Sequence, residues 1–179
     1  LLLVGFGRIG REVGKRALAF GMQLHVYDPY VDEQQVGAAG AVCVKDLDTF
    51  LPKTDFLSLH LPYTPKNHHI IGHEELRALP SSAYVINTAR GGLIDEDELF
   101  KALESGNLAG AGLDCFEQEP PSSNLKLLNS GKVIVSPHNA SLTAECTRRL
   151  GLVCVENVVD ALTGCLKKER VVNLSLIHI

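Results

Sequence analysis

Short runs of consecutive apolar residues alternate along the chain with longer segments in which apolar and polar positions recur at helical spacing. The runs near residues 1–4, 24–27, 41–44, 56–60, 84–87, 109–113 and 133–136 predict strands. Their apolar positions are continuous rather than alternating, which suits strands covered on both faces, as in a parallel sheet. The intervening segments near 8–20, 46–51, 73–79 and 95–105 predict helices. Strand–helix alternation with right-handed crossovers implies an α/β fold, a doubly wound parallel sheet.

The pattern changes after Pro137. Residues 141–162 predict one long helix, on which Leu150, Val153, Cys154 and Val158 form an apolar stripe, with Gly164 as its stop. Lys167 to Arg170 reads as a short solvated charge run. Residues 174–179 fit neither pattern and are expected to be a non-native tail. The first residue is Leu and the chain enters a strand at once, so a truncated beginning is expected.

Composition narrows the function classes. The 179 residues are 45% apolar and 21% charged, enough for a packed core in one domain, or one domain and a piece of another. A net charge of −4 gives no electrostatic reason to expect nucleic acid or an anionic membrane as partner. No apolar run reaches the roughly 18 residues of a membrane-crossing helix. The five cysteines are odd in number and show no C-x-x-C pair, which predicts reduced thiols in a cytoplasmic protein and no zinc site.

The candidate chemistry begins at Gly5-Phe6-Gly7-Arg8-Ile9-Gly10, a G-x-G-x-x-G between a predicted strand and helix. Gly5 allows a tight turn, Gly7 lets a pyrophosphate approach the backbone, and Gly10 permits close helix–strand packing. The anion would meet free N–H groups at the positive end of a helix, with Arg8 and Ile9 in its first turn. The next strand ends at Asp28, roughly 20 residues further on, where a carboxylate can accept from ribose hydroxyls and repel a 2′-phosphate. NAD is therefore the expected cofactor, rather than NADP.

Three further segments place polar groups at predicted strand ends: Asn87 to Gly92, Asp114 to Pro120, and Ser136 to Ala140. Ligands bind there in a doubly wound sheet, so Arg90, Glu119 and His138 can converge on one cleft. A histidine can take a hydroxyl proton as hydride leaves the same carbon. A glutamate can hold the imidazole and favour its protonated form, and an arginine offers a planar fork for a carboxylate. The other histidines are read as structural: His68 and His69 as a loop pair without further ligands, His25 within a strand, His60 at a strand end.

In the order and approximate spacing of these motifs, the chain resembles the D-isomer-specific 2-hydroxyacid dehydrogenase family. The glycine loop with Tyr27-Asp28-Pro29, then His60-Leu61-Pro62, Asn87 to Gly92 leading to Asp95, Asp114 to Pro120, and Pro137-His138 carry the likeness. It extends from Leu1 to about Asn173 and points to the glyoxylate/hydroxypyruvate reductase and phosphoglycerate dehydrogenase branches. The resemblance implies an NAD-binding Rossmann-like domain over residues 1–140, and a helix and strand region over 141–173 leading toward a substrate lobe. It implies Arg90, Glu119 and His138 as catalytic residues. It places Asp114 on the nicotinamide side, and Leu61, Pro62, Thr88, Ala89, Arg90, His138 and Ala140 along the cofactor. The substrate would be a small 2-hydroxy or 2-keto acid, and the full-length parent a homodimer. Family members carry a first lobe before the glycine loop; here that substrate lobe is expected to be missing, leaving the chain alone inactive. Cys115 stands where the family commonly has a small aliphatic residue. The alternative is an NAD(H)-sensing protein resembling transcriptional corepressors of the same fold, which keep the same three residues.

Overall fold

The computed structural model describes residues 1–171. Seven strands form one sheet: β1 (Leu2–Val4), β2 (His25–Tyr27), β3 (Val42–Cys43), β4 (Phe56–Leu59), β5 (Tyr84–Asn87), β6 (Gly110–Leu113) and β7 (Val133–Val135). The spatial order is β3-β2-β1-β4-β5-β6-β7 and every pairing is parallel. The connections contain α1 (Arg8–Ala19), α2 (Glu33–Ala38), α3 (Leu47–Phe50), α4 (His73–Ala78) and α5 (Glu96–Glu104).

β1 shows why the sheet is covered twice. Leu2 and Val4 belong to the larger core, with Leu57, Leu59, Val85 and Leu99, whereas Leu3 belongs to a second core with Phe6, Val26 and Val36. Alternate side chains of a strand point to opposite faces, so a strand buried on both must be apolar throughout. α1 lies tight against its face: a β-carbon on Gly14 would sit 2.8 Å from the Leu24 side chain.

The chain winds outward from β1 to β2 and β3, then returns to place β4 on the other side of β1. This reversal opens a crevice beyond the carboxyl ends of β1 and β4. The two loops there meet closely. Gly5 adopts φ +98°, and a β-carbon on it would lie 2.7 Å from the His60 carbonyl carbon, so only glycine fits.

The observed strands are mostly one residue shorter than the apolar runs. α2 is an addition to the expected helices: it buries only Val36, so it shows almost no apolar periodicity. Its start is nonetheless encoded, since Asp32 Oδ1 accepts the Gln35 N–H at 2.8 Å.

The chain divides into two compact units, Leu1–His138 and Asn139–Ile179. In the second, α6 (Ala144–Leu162) begins where Thr143 Oγ1 accepts the Cys146 N–H at 3.1 Å. It ends before Gly164, whose φ of +71° breaks the helix. Leu150, Cys154 and Val158 of the stripe are exposed and Val153 is half-buried. Arg170 departs from the expected solvated run: its Nη1 donates to Asn157 Oδ1 at 2.9 Å and lies 3.6 and 3.8 Å from Glu156 and Asp160. The chain turns back after the helix, so the long Arg170 side chain reaches its acidic face. The expected end of the helix and strand region at 173 and the expected tail over 174–179 lie outside the described residues.

Candidate active site

The glycine loop is organised by Asp28. Gly5 N–H donates to the Tyr27 carbonyl at 2.9 Å, Phe6 N–H to Asp28 Oδ2 at 2.7 Å, and Tyr30 N–H to Asp28 Oδ1 at 2.9 Å. The half-buried carboxylate is thereby aimed from the end of β2 across the loop. Gly7 caps α1 with no side-chain hydrogen bond, and a β-carbon there would meet no atom within 4 Å. Gly10 differs: a β-carbon would fall 2.3 Å from the Gly5 carbonyl oxygen. Arg8 and Ile9 are exposed in the first turn. An open helix N-terminus with no acidic residue in its first turn, next to an oriented carboxylate, fits a pyrophosphate joined to a ribose diol.

Beyond β4, Leu61 is half-buried against the larger core and Pro62 is exposed. His60 Nε2 lies 2.9 Å from Ser58 Oγ. Burial pushes its imidazole below the usual histidine range, which keeps it neutral at physiological pH.

The β5–α5 connection hangs on one buried amide. Asn87 Oδ1 accepts the Ala89 N–H at 3.0 Å and its Nδ2 donates to the Arg90 carbonyl at 2.9 Å. Thr88 and Arg90 are exposed, Ala89 is half-buried, and Arg90 Nη1 donates to the Ala89 carbonyl at 2.6 Å. Gly91 packs against the neighbouring loop so closely that a β-carbon would fall 1.8 Å from the Phe116 carbonyl oxygen.

That neighbouring loop follows β6. Asp114 is buried, its N–H donates to the Asn87 carbonyl at 2.9 Å, and Ser136 Oγ donates to its Oδ1 at 2.5 Å. Cys115 is buried behind it; burial first, then the carboxylates of Glu119 and Asp114, push its thiol up to about 12. Glu119 precedes a cis proline and accepts twice: from Phe116 N–H at 3.1 Å through Oε1, and from His138 Nδ1 at 2.7 Å through Oε2. The His138 hydrogen bond foremost, then Phe116 N–H, hold this carboxyl below the usual range, and the Arg90 charge adds a lesser pull. His138 has φ +52°. A cavity of about 310 Å³ adjoins the pair, lined by Asp114, Phe116, Leu128 and Val135 among others.

The structure thus brings Asp114, Glu119 and His138 together around one cavity, with Arg90 close enough to act on Glu119. Ala140 is exposed in the second unit. One expectation is corrected. His69 is not without partners: its Nε2 lies 2.5 Å from Glu117 Oε1 and its Nδ1 3.3 Å from Asp95 Oδ2. Both carboxylates are distant in sequence, so local spacing gave no signal. The roles of Asn87 and Ser136 in holding Arg90's turn and Asp114 are likewise visible only in three dimensions. Among the described residues no group of three or more His, Cys, Asp or Glu is placed to hold a metal ion, and no helix is long and apolar enough to cross a membrane.

Residues 1–140 match the D-isomer specific 2-hydroxyacid dehydrogenase, NAD binding domain. The chain belongs to this family. It is 42% identical over 172 residues to the D-3-phosphoglycerate dehydrogenase of Methanocaldococcus jannaschii, covering 96% of this chain and 32% of that enzyme. It is 44% identical over 162 residues to the hydroxypyruvate reductase of Thermotoga maritima, covering 89% and 52%. The D-lactate dehydrogenase of Aquifex aeolicus, solved with NAD and lactic acid, superposes with a TM-score of 0.81 at 35% identity, covering 92% of this chain and 53% of that one. The chain spans about half, or less, of the length of these relatives. NAD is the nucleotide of this family domain, in accord with the loop and Asp28.

Proposed function

We propose that the protein containing this chain is an NAD-dependent dehydrogenase interconverting a small 2-hydroxy acid and its 2-keto acid. His138 is the acid–base group, Glu119 its partner, and Arg90 the ligand for the substrate's carboxylate and carbonyl oxygens. The observation that carries this reading is the 2.7 Å contact of His138 Nδ1 with Glu119 Oε2 beside the cavity.

NAD, when bound, accepts or supplies the hydride. The chain's own groups do the rest. The N–H groups opening α1 and the loop at Gly7, Arg8 and Ile9 hold the pyrophosphate, while Asp28 takes the ribose diol. Leu61, Pro62, Thr88 and Ala89 would line the nucleotide, and Asp114, steadied by Ser136, would stand on its nicotinamide side. With Nδ1 committed to Glu119, His138 exchanges the proton with the substrate oxygen through Nε2. The Glu119 carboxylate stabilises the imidazolium formed when the hydroxyl proton is removed, and fixes the ring's orientation. Arg90 offers a permanently charged fork to the substrate. The relatives named above act on phosphoglycerate, hydroxypyruvate and lactate, all within this substrate class.

The test is turnover of a 2-keto acid panel with NADH by the full-length protein. His138→Ala lowers kcat by about 10²–10⁴ while NADH affinity changes little. Near-normal turnover of that variant would move proton transfer to another residue. The 179-residue chain by itself is expected to bind NADH without measurable turnover.

A further inference from the structure

His69 has no task in the reaction just described, yet it is held more firmly than a loop histidine needs. Its backbone is left-handed, φ +51°, a conformation that residues with a β-carbon avoid. Its N–H donates to the Gly92 carbonyl at 2.8 Å, and the His68 ring stacks on its own at 3.7 Å. Nε2 meets Glu117 Oε1 at 2.5 Å and Nδ1 faces Asp95 Oδ2 at 3.3 Å. Glu117 is held a second time, its N–H donating to Glu96 Oε1 at 2.7 Å.

These contacts join two loops. Asp95 ends the connection that carries Arg90 and caps α5, its Oδ1 accepting the Glu98 N–H. Glu117 sits in the loop that carries Glu119, next to Phe116, whose N–H is one of Glu119's two donors. We infer that His69 is a positioning residue: through Glu117 and Asp95 it clamps the β6 loop to the β5–α5 connection, and so holds Glu119 in place for His138. The inference rests on the acid–base reading of the Glu119–His138 pair.

The test uses the full-length protein and two readouts. In His69→Ala and in Glu117→Ala, the Phe116 amide exchanges its hydrogen about tenfold faster, while the amides of Leu57 and Val85 keep their protection. In both variants kcat for the 2-keto acid falls about tenfold with NADH affinity unchanged, and the double variant falls no further. His69→Gln, whose amide still donates to one carboxylate, recovers part of the loss. Glu117 is exposed, so its variant carries the test if His69→Ala does not fold. Unchanged Phe116 exchange in the single variants overturns the clamp. So does a double variant whose loss is the product of the two, or equal loss of protection in β4 and β5. If the wild-type protein reduces no 2-keto acid, or His138→Ala is fully active, the functional reading fails, and the exchange measurement still decides the clamp.

Discussion

Asp28 and Phe6 are joined by a 2.7 Å hydrogen bond from the Phe6 backbone to Asp28 Oδ2, across the glycine loop. The proposed ribose acid and the proposed phosphate loop are therefore tied to each other. A 2′-phosphate placed beside this oriented carboxylate would be repelled. NADH is expected to bind more tightly than NADPH, by roughly tenfold or more, and Asp28→Ser to narrow that preference and weaken NADH binding. Fluorescence titration of both nucleotides decides it; equal affinities would remove Asp28 from this role.

The Glu119–His138 pair gives a pH-dependent stability difference of known sign. The Glu119 carboxyl is held below its ordinary range by His138 and then Phe116. A carboxyl depressed in the folded state stabilises above its unfolded pKa of about 4.3, and that contribution is lost as pH falls through the folded value. The group is largely exposed, so the effect is small, below about 1 kcal/mol. Urea midpoints of wild type and Glu119→Gln should differ at pH 7 and converge in acid. A difference that grew on acidification would contradict the pairing.

Gly91→Ala is expected to be among the most damaging single-methyl changes in the first unit. The added carbon would fall 1.8 Å from the Phe116 carbonyl oxygen, and both partners are backbone. A loss of at least about 1–3 kcal/mol is expected from such overpacking. Gly151→Ala is the control: it lies within α6, where a β-carbon meets nothing within 4 Å, and should gain up to about 1 kcal/mol of helix stability. Thermal melts of the two variants should move in opposite directions.

Thiol reactivity should divide the cysteines. Cys115 is 2% exposed and its thiol is pushed up to about 12, while Cys154 and Cys165 are exposed. At pH 8 iodoacetamide should label Cys154 and Cys165 and spare Cys115 until the protein is unfolded. Peptide mass spectrometry reads the outcome directly, and rapid labelling of native Cys115 would show that its loop opens.

All seven strands are legible in the sequence as short, mainly apolar runs: the central β1 is buried on both faces and apolar throughout, while the edge strands β3 and β7 keep the apolar run although Val42, Ile134 and Val135 are exposed. Glycine placement is legible for a steric reason at two of the three positions: Gly5 and Gly10 leave no room for a β-carbon, whereas one on Gly7 would meet no protein atom. α2 is not, since a six-residue helix burying one side chain leaves almost no period to detect. At the candidate site, residue types and strand-end positions single out Arg90, Glu119 and His138 as candidates, and the structure brings Glu119 and His138 into contact. What they do not reveal is the support beneath them. Glu117 lies 48 positions from His69, and Ser136 lies 22 from Asp114. Such pairs are created by the order of strands in the sheet.

The contact between Gly91 and Phe116, together with the Asp114 N–H bonded to the Asn87 carbonyl, bears on how new specificities can be built on this scaffold. The segments after β5 and β6 share a seam that is largely backbone against backbone, with the small Cys115 side chain against the Asn87 carbonyl, which leaves little room to absorb a mismatch. Exchanging one segment with a relative's, while keeping the other, would misfit the seam even if every catalytic residue were preserved. The two would have to be transplanted as a pair, from Asn87 to Gly92 and from Asp114 to Pro120.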